Sequence, residues 1–215
     1  MKLNIVLVEP EIPQNTGNIA RTCAAIGAKL HLVKPLGFSI SEKQVKRAGL
    51  DYWDKLDIEE HDSFKDFLEK YKPEEHNMFF ITTKGTHCYS DINYTEIEEV
   101  FVLFGKETKG LPEDTLKKYI EKTARIPMRP TLRSLNLSNS VAIVVYEILR
   151  QKNFEGLQEV SDYLIWNQAK MLKCFPVYDK IFLIGEQYYA NRKDDKNEKV
   201  SNHYCNSSSS YNNCY

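Results

Sequence analysis

An α/β fold, a mostly parallel sheet with helices on both faces, is what this sequence predicts, on two observations. Short apolar or β-branched runs recur at Leu3 to Val8, Lys29 to Val33, Met78 to Thr82 and Val100 to Phe104. Each has the length and near-continuous hydrophobicity of a strand buried on both sides. Between them lie stretches with helical patterning, and parallel strands need such crossovers to be joined at all.

The elements follow in order. Thr16 to Ile26 reads as the first crossover helix, ended by Gly27, and Asp62 to Tyr71 as another, capped by Asp62 and stopped before Pro73. Ser138 to Gln151 carries β-branched Val141, Ile143, Val144 and Val145, which suit a strand, but its length and a Ser138 cap favour a helix. The apolar residues of that helix surround its axis, which implies burial on more than one side; a subunit interface is one way to achieve it. Residues 1–157 are expected to form one domain. Residues 158–190 form an extension in which Gln158 to Cys174 suits a helix and Lys180 to Tyr189 a strand or helix. Residues 191–215, rich in Asn, Ser, Lys and Asp, are expected to be a disordered tail.

Composition narrows the function classes. A chain of 215 residues with 42% hydrophobic content can bury one good core. No apolar run approaches the roughly 20 residues of a membrane helix, so a soluble, unprocessed cytoplasmic chain is expected. The cysteines (Cys23, Cys88, Cys174, Cys205, Cys214) are odd in number and scattered, which suggests neither a disulfide framework nor a metal site. A net charge of −1 argues against nonspecific coating of a polyanion. Locally, however, Lys117, Lys118, Lys122, Arg125, Arg129 and Arg133 face a single acid, Glu121, and such a patch suits either phosphate contact or plain solvation.

Ligands of parallel sheets bind beyond the carboxyl ends of the strands, so the loops there carry the chemistry. After the first strand comes EPEIPQNTGNIAR, in which Asn18 and Arg21 share a helix face. No Gly-x-Gly-x-x-Gly or P-loop is present, which lowers the case for a nicotinamide or nucleoside-triphosphate enzyme. Taken alone, Asn15 equally suits an Asx turn and Arg21 a surface charge. After Val100 to Phe104 comes FGKETKGLPE, whose Gly105 and Gly110 permit close backbone approach, as any glycine turn does. The third stretch, RIPMRPTLRSLNLSNSVAIVVYE, places Ser134, Asn136 and Asn139 at a helix start below apolar Ile126 and Met128. Ordinary capping accounts for at least one of these polar residues.

Together the three motifs resemble the SPOUT superfamily of RNA methyltransferases, in its 2'-O-methylating branch, and most closely the minimal members that act on the tRNA wobble nucleotide. The resemblance runs from about Asn4 to Gly156. It implies a C-terminal trefoil knot, a homodimer, and S-adenosylmethionine held by Ile81, Gly105, Ile126 and Ser134. Asn15, Arg21, Glu107 and Asn136 match the catalytic and RNA-facing positions. The implied activity is methylation of the ribose 2'-hydroxyl of C34 or modified U34 in the anticodon loop, leucine tRNA being the expected substrate. Methylation of another tRNA or rRNA ribose, or a catalytically silent RNA-binding dimer, are the alternatives.

A guanidinium keeps its proton far above neutral pH and is a poor base, so Arg21 suits a phosphate anchor and alkoxide stabiliser, from its own chain or a partner's. Water, Glu107 or an RNA phosphate then takes the proton. His31 sits in a strand and reads as structural; His61, His76, His87 and His203 fall in no motif. Tyr52, Trp53, Lys43, Lys46 and Arg47 suit RNA contact, and Trp53 equally suits a core.

Overall fold

In the computed structural model, residues 1–38 and 56–161 are described. Strands β1 (Lys2–Val8), β2 (Lys29–Val33), β3 (Ile58–His61), β4 (Asn77–Ile81), β5 (His87–Cys88), β6 (Glu99–Phe104) and β7 (Thr123–Arg125) form one sheet in the order β3-β2-β1-β6-β4-β7-β5. Every pairing within it is parallel. The helices are α1 (Pro13–Ile26), α2 (Phe64–Tyr71), α3 (Glu113–Lys118) and α4 (Leu137–Gln151). Residues Met1–Gln158 make one compact unit, and Gln158 to Ser161 are irregular where a helix was expected to begin. The remainder of that expected helix, the Lys180 to Tyr189 element, the tail and the Lys43 to Trp53 group lie outside the described residues.

The strand period of two sorts the core into two layers. Leu3, Ile5 and Leu7 of β1, with Val100, Val102 and Phe104 of β6, face a cluster closed by α1 (Ile19, Ala20, Cys23) and α4 (Val141, Val144, Val145, Ile148). Val6 and Val8, with Phe101 and Leu103, face a second cluster closed by Phe67 of α2 and Leu116 of α3. Both faces are thus covered, and the apolar runs are continuous for that reason.

Helix ends follow local chemistry. Pro13 occupies the first turn of α1, where its missing N–H costs nothing, so the helix begins before the expected Thr16. Gly27 ends it at φ 68, and the Ala28 N–H donates to the Cys23 carbonyl. Two expected caps are displaced by one or two residues. Ser63, not Asp62, caps α2 by accepting from the Asp66 N–H at 3.1 Å. Asn136, not Ser138, caps α4, accepting from the Ser138 N–H at 2.9 Å. In α4 the buried residues form one stripe, while Ile143 and Tyr146 are 37% and 48% exposed. Among the described residues the helix is therefore covered on one side only.

His31 is fully buried under α2, as its structural reading required. Its Nε2 lies 3.2 Å from Asn4 Oδ1 and its Nδ1 3.0 Å from His61 Nε2. Burial pushes the His31 pKa down to about 4 and lowers that of His61. Beside them, burial pushes Glu59 up, but hydrogen bonds from Lys29, Lys70 and Tyr71 outweigh it and hold its pKa at about 2.

Candidate active site

A cleft of about 570 Å³ opens beyond the carboxyl ends of β1, β4, β6 and β7. Its volume falls within the roughly 300–1,000 Å³ range of small-molecule sites. The residues expected on the cofactor side, Ile81, Gly105, Ile126 and Ser134, all line it. So do Asn15, Glu107 and Asn136, which are far apart in sequence.

These three polar residues form a chain of hydrogen bonds whose amide orientations are mutually consistent. Glu107 accepts from Asn15 Nδ2 at 2.8 Å and from the backbone N–H groups of Glu11 and Ile12 at 2.8 and 3.3 Å. Asn15 Oδ1 in turn accepts from Asn136 Nδ2 at 3.0 Å. Asn136 Oδ1 is committed to the N–H and hydroxyl of Ser138, at 2.9 and 2.7 Å. Each group is oriented by the next. With three donors on its two oxygens, Glu107 ties loops together, and this disfavours it as the proton acceptor.

Arg21 does not join this group, since it is exposed on α1 and does not line the cleft. Six positions along a helix correspond to about 240°, so Asn15 points inward where Arg21 points out. Asn18 shares the exposed face with Arg21, as their spacing required.

The two glycines after β6 have separate reasons. A Cβ on Gly105 would sit 2.1 Å from the Gly110 carbonyl carbon, and Gly110 itself has φ 72. The turn closes on the Gly110 N–H, which donates to the Lys106 carbonyl at 2.8 Å. Sequence reading missed a third, Gly85, whose Cβ would lie 2.4 Å from the Ala124 carbonyl carbon. The segment between β4 and β5 there passes close to β7, which is inserted between those strands. Thr82, Thr83 and Lys84 in that segment also line the cleft. Lys84 pairs with Glu113. A Gly following a buried strand was the available signal, but an ordinary turn carries the same one.

The basic stretch divides on folding. Lys118 pairs with Glu74 at 3.4 Å, and Lys122 donates to the carbonyls of Pro73 and His76. Lys122 thereby serves structure, while Lys118 stays in an exposed ion pair. Lys117, Arg129 and Arg133 remain exposed, and Arg133 lines the cleft.

Apolar Ile81, Phe104, Ile126 and Met128 beside main-chain loops suit an aromatic, polar small molecule such as a nucleoside. His31, Glu59 and His61 place ligand atoms within 4.8 Å of one another, as a metal site does. The Lys29 and Lys70 ammoniums, each 2.7 Å from Glu59, oppose a divalent cation there.

The model of the SpoU rRNA Methylase family matches residues 2–146. The chain belongs to that family. Among curated members, a Listeria monocytogenes protein is 51% identical over 76% of this chain and 96% of its own. The tRNA (cytidine(34)-2'-O)-methyltransferase of Escherichia coli K12 is 46% identical over 72% of this chain and 96% of its own. A solved structure concerned with 2-OH methylation of C/U34 on tRNA superimposes with TM-score 0.66 at 44% identity, covering 72% of this chain and 98% of that one. An AdoMet-bound rRNA methyltransferase from Sinorhizobium meliloti gives 0.60 at 27% identity, covering 69% and 56%. SpoU methylase neighbours thus share the parallel α/β architecture described above.

Proposed function

We propose that this protein transfers a methyl group from S-adenosylmethionine to the ribose 2'-hydroxyl of the wobble nucleotide of tRNA, C34 or modified U34, with leucine tRNA as a substrate. The observation that carries this reading is the Glu107–Asn15–Asn136 chain of hydrogen bonds at the edge of the cleft, in a family member so close to wobble methyltransferases.

When bound, S-adenosylmethionine supplies a methyl group already activated on a sulfonium, so the protein's task is positioning and charge stabilisation. Ile81 and Ile126 provide apolar walls, Gly105 a close backbone approach, and Ser134 a hydroxyl on the cofactor side. Asn15 and Asn136 present oriented amides where the cleft meets the motif-one loop. Arg21 anchors RNA phosphate and stabilises the oxygen as it loses its proton, which passes to water or an RNA phosphate. Because Arg21 points away from its own cleft, it acts in the cleft of a second copy.

The protein works as a homodimer in the cytoplasm, with exposed Ile143 and Tyr146 of α4 supporting the contact. The chain forms a trefoil knot around β7, a reading supported by the insertion of that strand between β4 and β5 and by the close passage at Gly85.

Nucleoside mass spectrometry of tRNA from cells with and without the gene tests the function. The expected result is loss of 2'-O-methylation at position 34 only. Unchanged position 34, with loss at another ribose, would replace the substrate.

A further inference from the structure

We propose that Glu11 is a positioning residue whose carboxylate, clasped to Thr108, holds the glycine-containing loop of residues 105–110 in the shape that walls the cofactor cleft. The inference rests on the functional reading above for the identity of the cofactor.

The motif-one loop and the loop after β6 are tied in both directions. Glu107 accepts from the Glu11 N–H at 2.8 Å. Glu11 returns the contact, its carboxylate accepting from the Thr108 N–H at 3.0 Å and from Thr108 Oγ1 at 2.9 Å. Lys106 adds a third tie, an ion pair with Glu9 at 2.5 Å. Donors occupy both carboxylates, so Glu11 and Glu107 sit across the same junction without facing each other as bare like charges.

One side of the clasp is fixed and the other is pliant. Glu9 has φ 51, and its N–H donates to the Val33 carbonyl at 2.9 Å. Beneath it the Gly37 N–H donates to the Pro10 carbonyl at 2.9 Å, and a Cβ on Gly37 would lie 2.7 Å from Glu11 Cα. Residues 9–12 are thereby held against the segment after β2. Residues 105–110 contain two glycines, and Thr108, Lys109 and Gly110 are exposed. A loop with that much backbone freedom takes one shape only if something outside it imposes the shape. Glu107 points inward from this loop to Asn15, so the clasp also sets where the Asn15 amide is held.

Amide hydrogen exchange on the cofactor-free protein and calorimetry with S-adenosylmethionine test the clasp together, using Glu11→Gln, Thr108→Val, the double variant and Thr108→Ser. In Glu11→Gln the Thr108 amide is expected to exchange about tenfold faster, because a charge-assisted bond is replaced by a neutral one. The dissociation constant for S-adenosylmethionine should rise about tenfold in Glu11→Gln and about threefold in Thr108→Val. The double variant should be no weaker than Glu11→Gln, and Thr108→Ser should match the parent. An unchanged Thr108 exchange rate in Glu11→Gln overturns the clasp, as do effects that multiply in the double variant. Faster exchange with unchanged cofactor affinity overturns the positioning role. Should Glu11→Gln fail to fold, the exposed Thr108 pair decides, since only the valine lacks the hydroxyl. A parent protein that binds no S-adenosylmethionine sinks the functional reading while the exchange measurement still decides the clasp.

Discussion

The two faces of the sheet are finished differently. On the α2 and α3 side the outer surface is closed by ion pairs: Lys29 and Lys70 on Glu59, Lys118 on Glu74, Lys65 on Glu69. The buried polar groups beneath, His31 and His61, contact each other, and His31 also reaches Asn4. On the α1 and α4 side the helices are longer, 14 and 15 residues against 8 and 6, and apolar Ile143 and Tyr146 stay at the surface. That side also carries Asn15, Asn136 and Arg21. The proposed subunit contact and the proposed active-site residues both fall on the second side.

Neighbouring residues of α4 break that comparison most sharply. Val145 is fully buried in this chain's own core, so Val145→Asp places an unpaired charge there and should cost about 4 kcal/mol or more, abolishing folding. Tyr146→Asp, one residue on and 48% exposed, should leave a folded protein whose sedimentation reports a monomer. A folded, dimeric Tyr146→Asp protein would put the second copy elsewhere.

Arg21→Ala comes next. Turnover on tRNA should fall at least about a hundredfold, comparable to loss of an oxyanion donor at roughly 3 kcal/mol, with S-adenosylmethionine affinity unchanged. Mixing this variant with an Asn136→Ala chain should recover activity in heterodimers if Arg21 acts across the subunit contact. No recovery in mixed samples counts against sharing.

The sealed face should be sensitive to acid. An unfolded chain takes up a proton on His31 near its ordinary 6.5, while the folded one refuses it until about 4. Stability is therefore complete above about pH 6.5 and declines as pH falls towards 4, by on the order of 2–3 kcal/mol. Glu59, held at about 2 against an ordinary 4.5, adds its own loss as pH falls from about 4.5 towards 2. Urea unfolding at about pH 7 and pH 4.5 measures this, and equal midpoints would remove the argument. Smallest of all, Ser134→Ala should weaken S-adenosylmethionine binding by about 1 kcal/mol with turnover at saturation little changed, and calorimetry reads it directly.

The longer elements were legible from the sequence because strands buried on both faces need unbroken apolar runs. Leu3 to Val8 and Lys29 to Val33 therefore stood out, as did the residues from Asn15 to Asn136 that the motifs single out. Strands β5 and β7 were invisible, since two and three residues carry no periodicity. In β3 the sequence Ile-Glu-Glu-His hides a strand because Glu59 is satisfied by Lys29, Lys70 and Tyr71, partners that only the fold brings near. Sequence alone thus determined the layered α/β plan, which follows from local periodicity, while the residues of the cleft were implied by the resemblance that the three motifs carry. The tertiary structure decided that Glu107 is a tie between loops, that Arg21 faces away from its own cleft, that Lys118 pairs with Glu74, and that Lys122 donates to the Pro73 and His76 carbonyls. Those outcomes depend on which donors arrive from distant segments, and long-range hydrogen bonds leave no trace in local pattern.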